Sequence, residues 1–478
     1  MGRVAIIGAG VSGLVSAKVL QQDGFAVTVF DKDEGVGGVW AASRAYPGLR
    51  TNNPAPTYAF SDFPHFDDTD EFPTAAQLRA YFATYIERFG LGPHLRLGTE
   101  VVSVAREEGT FGLRVTLRDG TSERFDRVVV ANGVLSVPNM PGLPGAEHFA
   151  GTIRHSSEIT DGSALRGRRV VVVGAGKSAM DMACLAGREA AACTLVFRRP
   201  YWMLPRYFGR RRVDAQVFNR LTETLTFPAY HRASRGEVAL RCIGAPLLRA
   251  FRRLQCRVVA RAAGMPGDMV PEFPIHAGIY HQGIGADIYQ ALREGRVTTR
   301  RDGIASFRDK HTLQLDSGET LETDIVVCAT GWQQRLDFLD APLQEAVLPD
   351  GRFRLYRHIL PPAEPRLGFV GYASSGNTPL SSELAAHWLS EYFLGGLRLP
   401  ERVAMEREID RVLAWSARVF PEQPAGHFIG GYIAHYADEL LRDLGLPTRR
   451  ASGRLAELLR PLTADRYNGL GVERFAAR

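Results

Sequence analysis

The feature that most constrains this chain is a glycine-rich turn between a strand and a helix, and the chain contains it twice. The first turn spans residues 8–13 and has the form GxGxxG. It follows an apolar strand predicted at 4–7 and precedes a helix predicted at 14–22. A further strand at 26–30 ends at Asp31. This order of strand, glycine turn, helix, strand and acid is typical of a dinucleotide-binding unit in a doubly wound α/β fold.

Each residue of the first turn has a mechanical task. Gly8 makes the turn, Gly10 lets a pyrophosphate approach the backbone, and Gly13 lets helix and strand pack closely. The N–H groups and positive dipole end of the helix attract the phosphates. Asp31 is placed to accept hydrogen bonds from ribose hydroxyls, so the first site is suited to a dinucleotide without a 2′-phosphate.

The second turn spans residues 174–179, with Ala179 in place of the third glycine. The strand that follows, 194–197, ends in Arg198 and Arg199 rather than in an acid. Arginine suits the 2′-phosphate of NADP, and the second site is therefore predicted to bind NADPH. The alternative is a solvated strand end, because 54 of the 58 basic residues of this chain are arginines.

A second repeat supports the pairing of the two units. Residues 126–133 and 324–331 share the form DxVVxAxG, and each follows a hairpin-like stretch. The fold is predicted to be α/β, with two Rossmann-like doubly wound nucleotide-binding domains, the second inserted in the first. The predicted bounds are 1–140 and 331–478 for the first domain, whose C-terminal part is helical, and 141–330 for the second domain, with a basic helical insert at about 201–274.

Further short motifs follow one another along the chain. In order they are Gly8-x-Gly10-x-x-Gly13, Gly37-Gly38-Val-Trp40, Thr51-Asn52-Asn53-Pro54, Phe60-Ser-Asp62-Phe-Pro64, Phe149-x-Gly151-x-x-x-His155, Gly174-x-Gly176-x-x-Ala179, Arg198-Arg199-Pro200 and Cys328-Ala-Thr-Gly331-Trp332. In this order the motifs resemble those of the flavin-containing monooxygenases, class B flavoprotein monooxygenases that bind FAD and NADPH. The resemblance runs from residue 4 to about residue 400.

The resemblance implies FAD in the first site and NADPH in the second. Asn52 matches the asparagine that lies beside the flavin and the nicotinamide in that family, and it is the candidate catalytic residue. The alternative for Asn52 is a turn asparagine close to Pro54. The expected cofactor-binding residues are Gly8, Gly10, Gly13, Asp31, Lys32, Gly38, Trp40, Asn52, Gly174, Gly176, Ser178, Ala179, Arg198, Arg199, Thr330, Gly331, Asn377 and Thr378. No metal ligand is expected.

The implied reaction is NADPH-dependent monooxygenation. Reduced flavin and O2 form a C4a-(hydro)peroxyflavin, which passes one oxygen atom to a small organic substrate, with a soft nitrogen or sulfur favoured as the acceptor. Baeyer–Villiger oxygenation of a ketone is the alternative, but Ile159 stands where Baeyer–Villiger members have tryptophan. His155 is expected to be a hinge or packing residue. Two further alternatives are a non-oxygenating NADPH–flavin reductase and a vestigial flavoprotein that acts at a membrane through its basic insert.

The net charge of +6 comes from one segment. Residues 198–261 contain 15 arginines, no lysine and three acids, a net charge of +12, so the rest of the chain carries −6. This distribution argues against a general nucleic-acid partner. Within the segment, 246–263 has the spacing of an amphipathic helix, which either covers a core or lies on a membrane. A peripheral membrane contact through 205–265 is therefore left open, as is a homodimer.

The five cysteines form no CxxC pair, which disfavours a disulfide reductase of the two-dinucleotide type. The first residues enter a strand at once, and no run of 18 apolar residues occurs. These patterns predict neither a signal peptide nor a transmembrane segment, and we expect a cytoplasmic location. The expected partners are a small-molecule substrate and O2.

Overall fold

The computed structural model describes residues 2–107, 109, 111–212, 219–275, 282–285, 287–423 and 425–477. The helices are α1 Val11–Gln22, α2 Ala75–Arg88, α3 Lys177–Glu189, α4 Arg220–Leu225, α5 Arg235–Ala263, α6 Asp287–Arg293, α7 Ala341–Val347, α8 Thr378–Phe393, α9 Arg402–Val419, α10 Ile433–Asp443, α11 Arg454–Leu459 and α12 Leu470–Ala476. Within the described residues, no helix has both the length and the apolar character needed to cross a membrane.

The strands form two parallel five-stranded sheets and several smaller ones. They are β1 Arg3–Ile7, β2 Ala26–Phe30, β3 Leu95–Arg96, β4 Val101–Arg106, β5 Leu113–Leu117, β6 Ser122–Phe125, β7 Arg127–Val130, β8 Val137–Pro138, β9 Thr152–His155, β10 Arg169–Val173, β11 Ala192–Val196, β12 Trp202–Leu204, β13 Tyr207–Phe208, β14 Arg211–Arg212, β15 Gln282–Ile284, β16 Thr298–Arg300, β17 Ile304–Phe307, β18 Thr312–Leu315, β19 Thr320–Glu322, β20 Ile325–Cys328, β21 Trp332–Gln333, β22 Leu367–Phe369, β23 Ser374–Ser375 and β24 Phe428–Gly430.

The two large sheets repeat one plan. The first has the order β22-β7-β1-β2-β3, and the second has the order β9-β20-β10-β11-β16, with every pair parallel. In each sheet the strand before the glycine turn lies at the centre, between the strand after the helix and the DxVVxAxG strand. The predicted internal repeat and the α/β fold class are confirmed. One face of each sheet packs against helices and the other against a three-stranded antiparallel sheet, so β1 and β10 are buried on both faces and are apolar almost throughout.

The two units are joined where the chain crosses between the sheets. Strand β8 on the outward crossing pairs antiparallel with β21 on the return, so the two connections lie side by side. All strands of the second sheet fall between residues 152 and 328. This crossing agrees with an inserted second unit, while the domain bounds themselves stay a prediction. The two predicted hairpins lie in antiparallel sheets, β4-β5-β6 and β17-β18-β19.

The insert in the second unit is only partly helical. The insert begins at β12 and ends at β15, and these two strands pair with each other. It contains the hairpin β13–β14 as well as α4 and α5. Helix α5 begins at Arg235, earlier than the predicted 246, because Ser234 and Glu237 form a reciprocal capping box. The predicted helix in this segment is confirmed.

The insert packs against the C-terminal helices. The rings of Phe227 and Tyr230 contact Tyr432, and Tyr230 also meets Trp415 edge-on. The guanidinium of Arg220 donates to the carboxylate of Asp438 at 2.8 Å. Three helices that are remote in sequence, α4, α9 and α10, are held together in this way.

A buried carboxylate fixes the start of α10. The Glu223 side chain accepts hydrogen bonds from the backbone N–H of Ala434 at 2.7 Å and from Nδ1 of His435 at 2.8 Å. Nε2 of His435 lies 3.3 Å from the carboxylate of Glu237 on α5. Although burial opposes charge on the imidazole, its hydrogen bonds to Glu223 and Glu237 raise the pKa of His435 to about 9. The insert is therefore attached by a partly buried imidazolium.

We expect His435→Gln to lower the thermal midpoint of unfolding in a pH-dependent way. The folded pKa lies above the unfolded value of 6.5, so protonated His435 stabilises the fold fully below about pH 6.5, and the contribution is lost as pH rises through about 9. The full effect corresponds to about 3 kcal/mol. Thermal melts of both proteins at pH 6 and pH 9.5 check this; a difference in midpoint that is equal at both pH values would contradict it.

Candidate functional site

The first glycine turn is held by contacts between backbone atoms. Gly8 has a φ of +112°, and its N–H donates to the carbonyl of Phe30 at 2.7 Å, which closes β1 onto β2. A Cβ on Gly13 would lie 1.8 Å from the carbonyl oxygen of Gly8. These positions carry out the turn and packing tasks predicted for the first and third glycines.

The middle glycine faces open space. A Cβ on Gly10 would come no nearer to a heavy atom than 3.6 Å, the distance to Cα of Gly38. Gly10 is also the N-cap of α1, with no side-chain hydrogen bond to the cap and no acid in the first turn. The free N–H groups and the space beside them fit the diphosphate of a dinucleotide.

Asp31 braces the same turn from the end of β2. Its carboxylate accepts hydrogen bonds from the N–H groups of Ala9 at 2.6 Å and Asp33 at 2.9 Å. Burial raises the pKa of Asp31, against the opposing effect of these hydrogen bonds. Lys32, the next residue, is exposed. Contact of Asp31 and Lys32 with a cofactor stays a prediction.

The start of α8 lies against the same unit. Asn377 is its N-cap, and the side-chain oxygen accepts from Nδ2 of Asn53 at 2.8 Å. The Thr378 hydroxyl donates to the carbonyl of Ser375 at 3.1 Å. Helix α8 packs along α1, where the Ser12 and Ser382 hydroxyls are 2.9 Å apart.

The two consecutive asparagines of the TNNP motif face opposite ways. Asn53 is buried and bound to Asn377, whereas the side chain of Asn52 is exposed. Asn52 is therefore the one free to meet a ligand, and its catalytic role stays a prediction. Trp40 is buried, and its indole N–H donates to the hydroxyl of Tyr58 at 2.8 Å.

The second glycine turn repeats the first. Gly174 has a φ of +136°, and its N–H donates to the carbonyl of Val196 at 2.9 Å. Gly176 is the N-cap of α3 without a side-chain hydrogen bond, and a Cβ on Gly176 would meet nothing nearer than Tyr201 at 4.0 Å. Ala179 is buried where the helix packs on the turn. This site also has open N–H groups and room for phosphates.

Two basic side chains stand where the ribose phosphate is expected. Arg198 and Arg199 follow β11 after the single buried residue Phe197, and both arginines are exposed. Lys177, in the first turn of α3, forms an ion pair with Asp181, and the neighbouring Ser178 is half-buried. The end of β11 thus presents positive charge to solvent beside the phosphate-binding turn.

A tyrosine of the first unit reaches into the second. The Tyr46 hydroxyl donates to the carboxylate of Asp181 at 2.8 Å, and its ring lies in the hydrophobic core of the second unit. Burial, followed by the charge of Asp181, raises the pKa of Tyr46 well above its usual range. Tyr46 and Asp181 are 135 residues apart, and no local pattern in the sequence indicates their contact.

The paired connections form a fixed junction between the units. The Thr330 hydroxyl donates to the carbonyl of Asn139 at 2.6 Å, and the carbonyl of Gly331 lies 3.0 Å from Nε2 of His155. The His155 ring meets Trp332 edge-on at 4.8 Å. Burial lowers the pKa of His155, so a neutral imidazole donates to Gly331. His155 has the surroundings of a junction residue.

Sequence patterns also missed one cluster away from these turns. His231, Glu408 and Glu439 place one ligand-type atom each within 4.8 Å of one another. Arg232 lies 2.6 Å from Glu408, and Arg357 lies 3.6 Å from Glu439. The two guanidinium groups balance the two carboxylates, so the cluster carries its own cations.

Comparison with known proteins gives a consistent result. A family model described as flavin-binding monooxygenase-like matches residues 1–226 and 281–448. A probable flavin-containing monooxygenase 1 of Arabidopsis thaliana is 28% identical over 98% of this chain and 97% of its own length.

Two solved structures show the same fold. S-allyl-L-cysteine S-oxygenase from Allium sativum has a TM-score of 0.64 at 21% identity, covering 93% of this chain and 89% of its own. Cyclohexanone monooxygenase from Rhodococcus sp. Phi1, bound to NADP+, has a TM-score of 0.70 at 20% identity, covering 93% and 97%. The α/β fold with two Rossmann-type units is confirmed.

We expect Gly10→Ala to impair flavin binding and Gly13→Ala to impair the stability of the fold. Gly10 has a φ of −81°, which alanine adopts, and its Cβ meets no protein atom closer than 3.6 Å, so that variant should fold normally but lose bound flavin. The Cβ of Gly13→Ala meets backbone at 1.8 Å and should lower the thermal midpoint of the flavin-free protein. Visible flavin absorbance and thermal melts check this. Equal melting of the two flavin-free variants would contradict the assignment.

Proposed function

The chain belongs to the flavin-binding monooxygenase-like family and is a flavin-dependent oxidoreductase, and from this premise we propose its reaction. It transfers one oxygen atom from O2 to a soft nucleophilic nitrogen or sulfur of a small organic substrate, with NADPH as the electron donor. The observation that carries this proposal is the pair of glycine turns with opposite charge at their second strands. Asp31 follows the first turn, and Arg198 and Arg199 follow the second.

The family match supports the two predicted cofactors, FAD and NADPH. A flavin held at a dinucleotide turn is FAD, and a 2′-phosphate fits the two arginines of the second turn. When bound, FAD accepts a hydride from NADPH and activates O2, which is chemistry that side chains do not supply.

The protein's own residues bind the cofactors, orient the reacting groups and exclude water. Helix α1 and helix α3 offer uncapped N–H groups to the two diphosphates, which fixes the cofactors at the ends of the two sheets. The contact of Tyr46 with Asp181 ties the first unit to the start of α3. Asn52 presents an exposed amide beside the buried Asn53, and we assign it to holding the reacting groups.

The choice of nitrogen or sulfur over a ketone rests on one position. The fold occurs both in the S-oxygenase and in cyclohexanone monooxygenase, so the fold leaves both acceptors open. Ile159 replaces the tryptophan of Baeyer–Villiger enzymes and is buried in the second core. This replacement favours a soft nucleophile, with ketone oxygenation as the second candidate. A cytoplasmic location and a homodimer stay predictions from the sequence.

We expect Arg198→Ser with Arg199→Ser to weaken the preference for NADPH over NADH. Losing two charge-assisted hydrogen bonds should lower kcat/KM for NADPH about 100-fold, while kcat/KM for NADH should change little. Steady-state oxidation of both nucleotides checks this. Arg308→Ser, the same change at an exposed arginine of the second unit, is the matched control. Equal losses with NADPH and NADH would contradict the assignment.

Isotope labelling tests the oxygenation itself. With 18O2, NADPH and a panel of small amines, sulfides and ketones, we expect one labelled oxygen atom in an amine or sulfide product, with NADPH consumed in equal amount. Mass spectrometry of the products and a peroxide assay provide the measurement. Consumption of NADPH that yields only peroxide, with no labelled product, would indicate a reductase and contradict the proposal. Labelled esters alone would indicate the Baeyer–Villiger reaction.

A further inference from the structure

Helix α5 is long and firmly defined at both ends. Its 29 residues span about 43 Å. The Ser234 capping box closes the N-terminus, and Gly264, with a φ of +67°, closes the C-terminus. The helix therefore forms a rod on the outside of the second unit.

One face of this rod is attached to the protein. Val259 and Ala263 are buried, and Val259 packs with Trp202 and Ile275. The Arg252 guanidinium donates to the carbonyl of Thr226 at 2.8 Å, which anchors the middle of the helix. These contacts fix the direction in which the opposite face points.

The opposite face is apolar and exposed. At about 100° per residue, six large apolar residues fall within an arc of about 80° and extend along about 27 Å, on the side away from Val259 and Ala263. They are Leu240, Ile243, Leu247, Phe251, Leu254 and Val258, and each is between 48% and 82% exposed. We call this set the apolar stripe. Soluble proteins rarely leave such a continuous apolar surface uncovered, and it marks an interaction site.

The charged residues beside the apolar stripe limit the kind of partner that can bind it. Arg257 and Arg261 are exposed along one edge of the stripe, and Arg235 is exposed near its start. Arginines elsewhere in the insert pair with acids of other elements, as Arg220 does with Asp438, so these three supply the charge at the stripe. An apolar stripe bordered by arginines is suited to bind a layer that has an anionic outer surface and an apolar interior.

A second copy of the chain fits this surface poorly. Pairing two stripes would bring the exposed arginines of both copies together, and no described acid lies on the stripe to offset them. The stripe is also a convex ridge on a single helix, which suits a deformable layer of lipid. We propose that α5 lies on an anionic membrane surface, with the apolar stripe inserted between headgroups and the arginines against lipid phosphates.

Vesicle binding by the flavin-loaded enzyme tests this proposal. We expect sedimentation with vesicles of phosphatidylcholine and about one-third phosphatidylglycerol, and at least about tenfold weaker binding to phosphatidylcholine alone. Ile243→Gln with Leu247→Gln should weaken binding to the anionic vesicles at least about tenfold, because these two side chains lose their burial in lipid. Tryptophan fluorescence of Phe251→Trp should shift to the blue on binding.

The matched control makes the same change elsewhere. Leu455 and Val472 are 69% and 77% exposed on other helices, and Leu455→Gln with Val472→Gln should bind vesicles as the wild type does. Flavin content confirms that each variant is folded. Equal binding by the two double variants would overturn the proposal, and so would absence of binding to anionic vesicles. A wild-type dimer that Ile243→Gln with Leu247→Gln converts to a monomer, without vesicle binding, would assign the stripe to a second copy.

Discussion

The structure depends on a backbone-to-backbone contact at the first turn of α1. Gly13 approaches the carbonyl of Gly8 so closely that a Cβ would lie 1.8 Å from its oxygen. This approach sets the height of α1 over the sheet and turns its N-terminus toward the edge where β1 and β2 end. A second close approach occurs at both turns: a Cβ on Gly8 would lie 2.5 Å from the carbonyl oxygen of Ala131, and one on Gly174 would lie 2.3 Å from that of Ala329. The same steric constraint therefore positions both sites.

The sequence predicted what local chemistry determines. Glycine spacing, strand ends and the DxVVxAxG repeat predicted two units with the same strand order, since each pattern reports on a turn or strand a few residues long. Contacts between distant residues could not be predicted. Tyr46 and Asp181 are 135 residues apart, and Glu223 and His435 are 212 apart. Ordinary tyrosine, aspartate, glutamate and histidine residues form these pairs, and nothing in their neighbourhoods distinguishes them.

The amphipathic pattern of α5 shows the same limit in another form. The spacing predicted a helix with a single apolar face and a basic face on its other side. In the structure the apolar residues fall on two faces, because Val259 packs inward while Leu247 and Phe251 point outward. Periodicity identifies a helix but does not say which of its apolar residues the protein itself will cover. That distinction required the position of β12 and Ile275.

Side chains satisfy the N-termini of several structural helices, whereas the two glycine turns leave theirs open; α9 also begins without a side-chain cap. Side chains of Thr74 and Ser234 cap α2 and α5, and Glu223 from the insert binds the first N–H groups of α10. Helices α1 and α3 have no such side-chain partner within the described residues, and both begin at a glycine turn that follows the central strand of a sheet. Unpaired N–H groups at a helix start cost free energy unless water or a ligand meets them. A glycine at each N-cap leaves these N–H groups open to a diphosphate. The missing side chain therefore costs free energy when the site is empty, and it makes room for the cofactor when the site is filled.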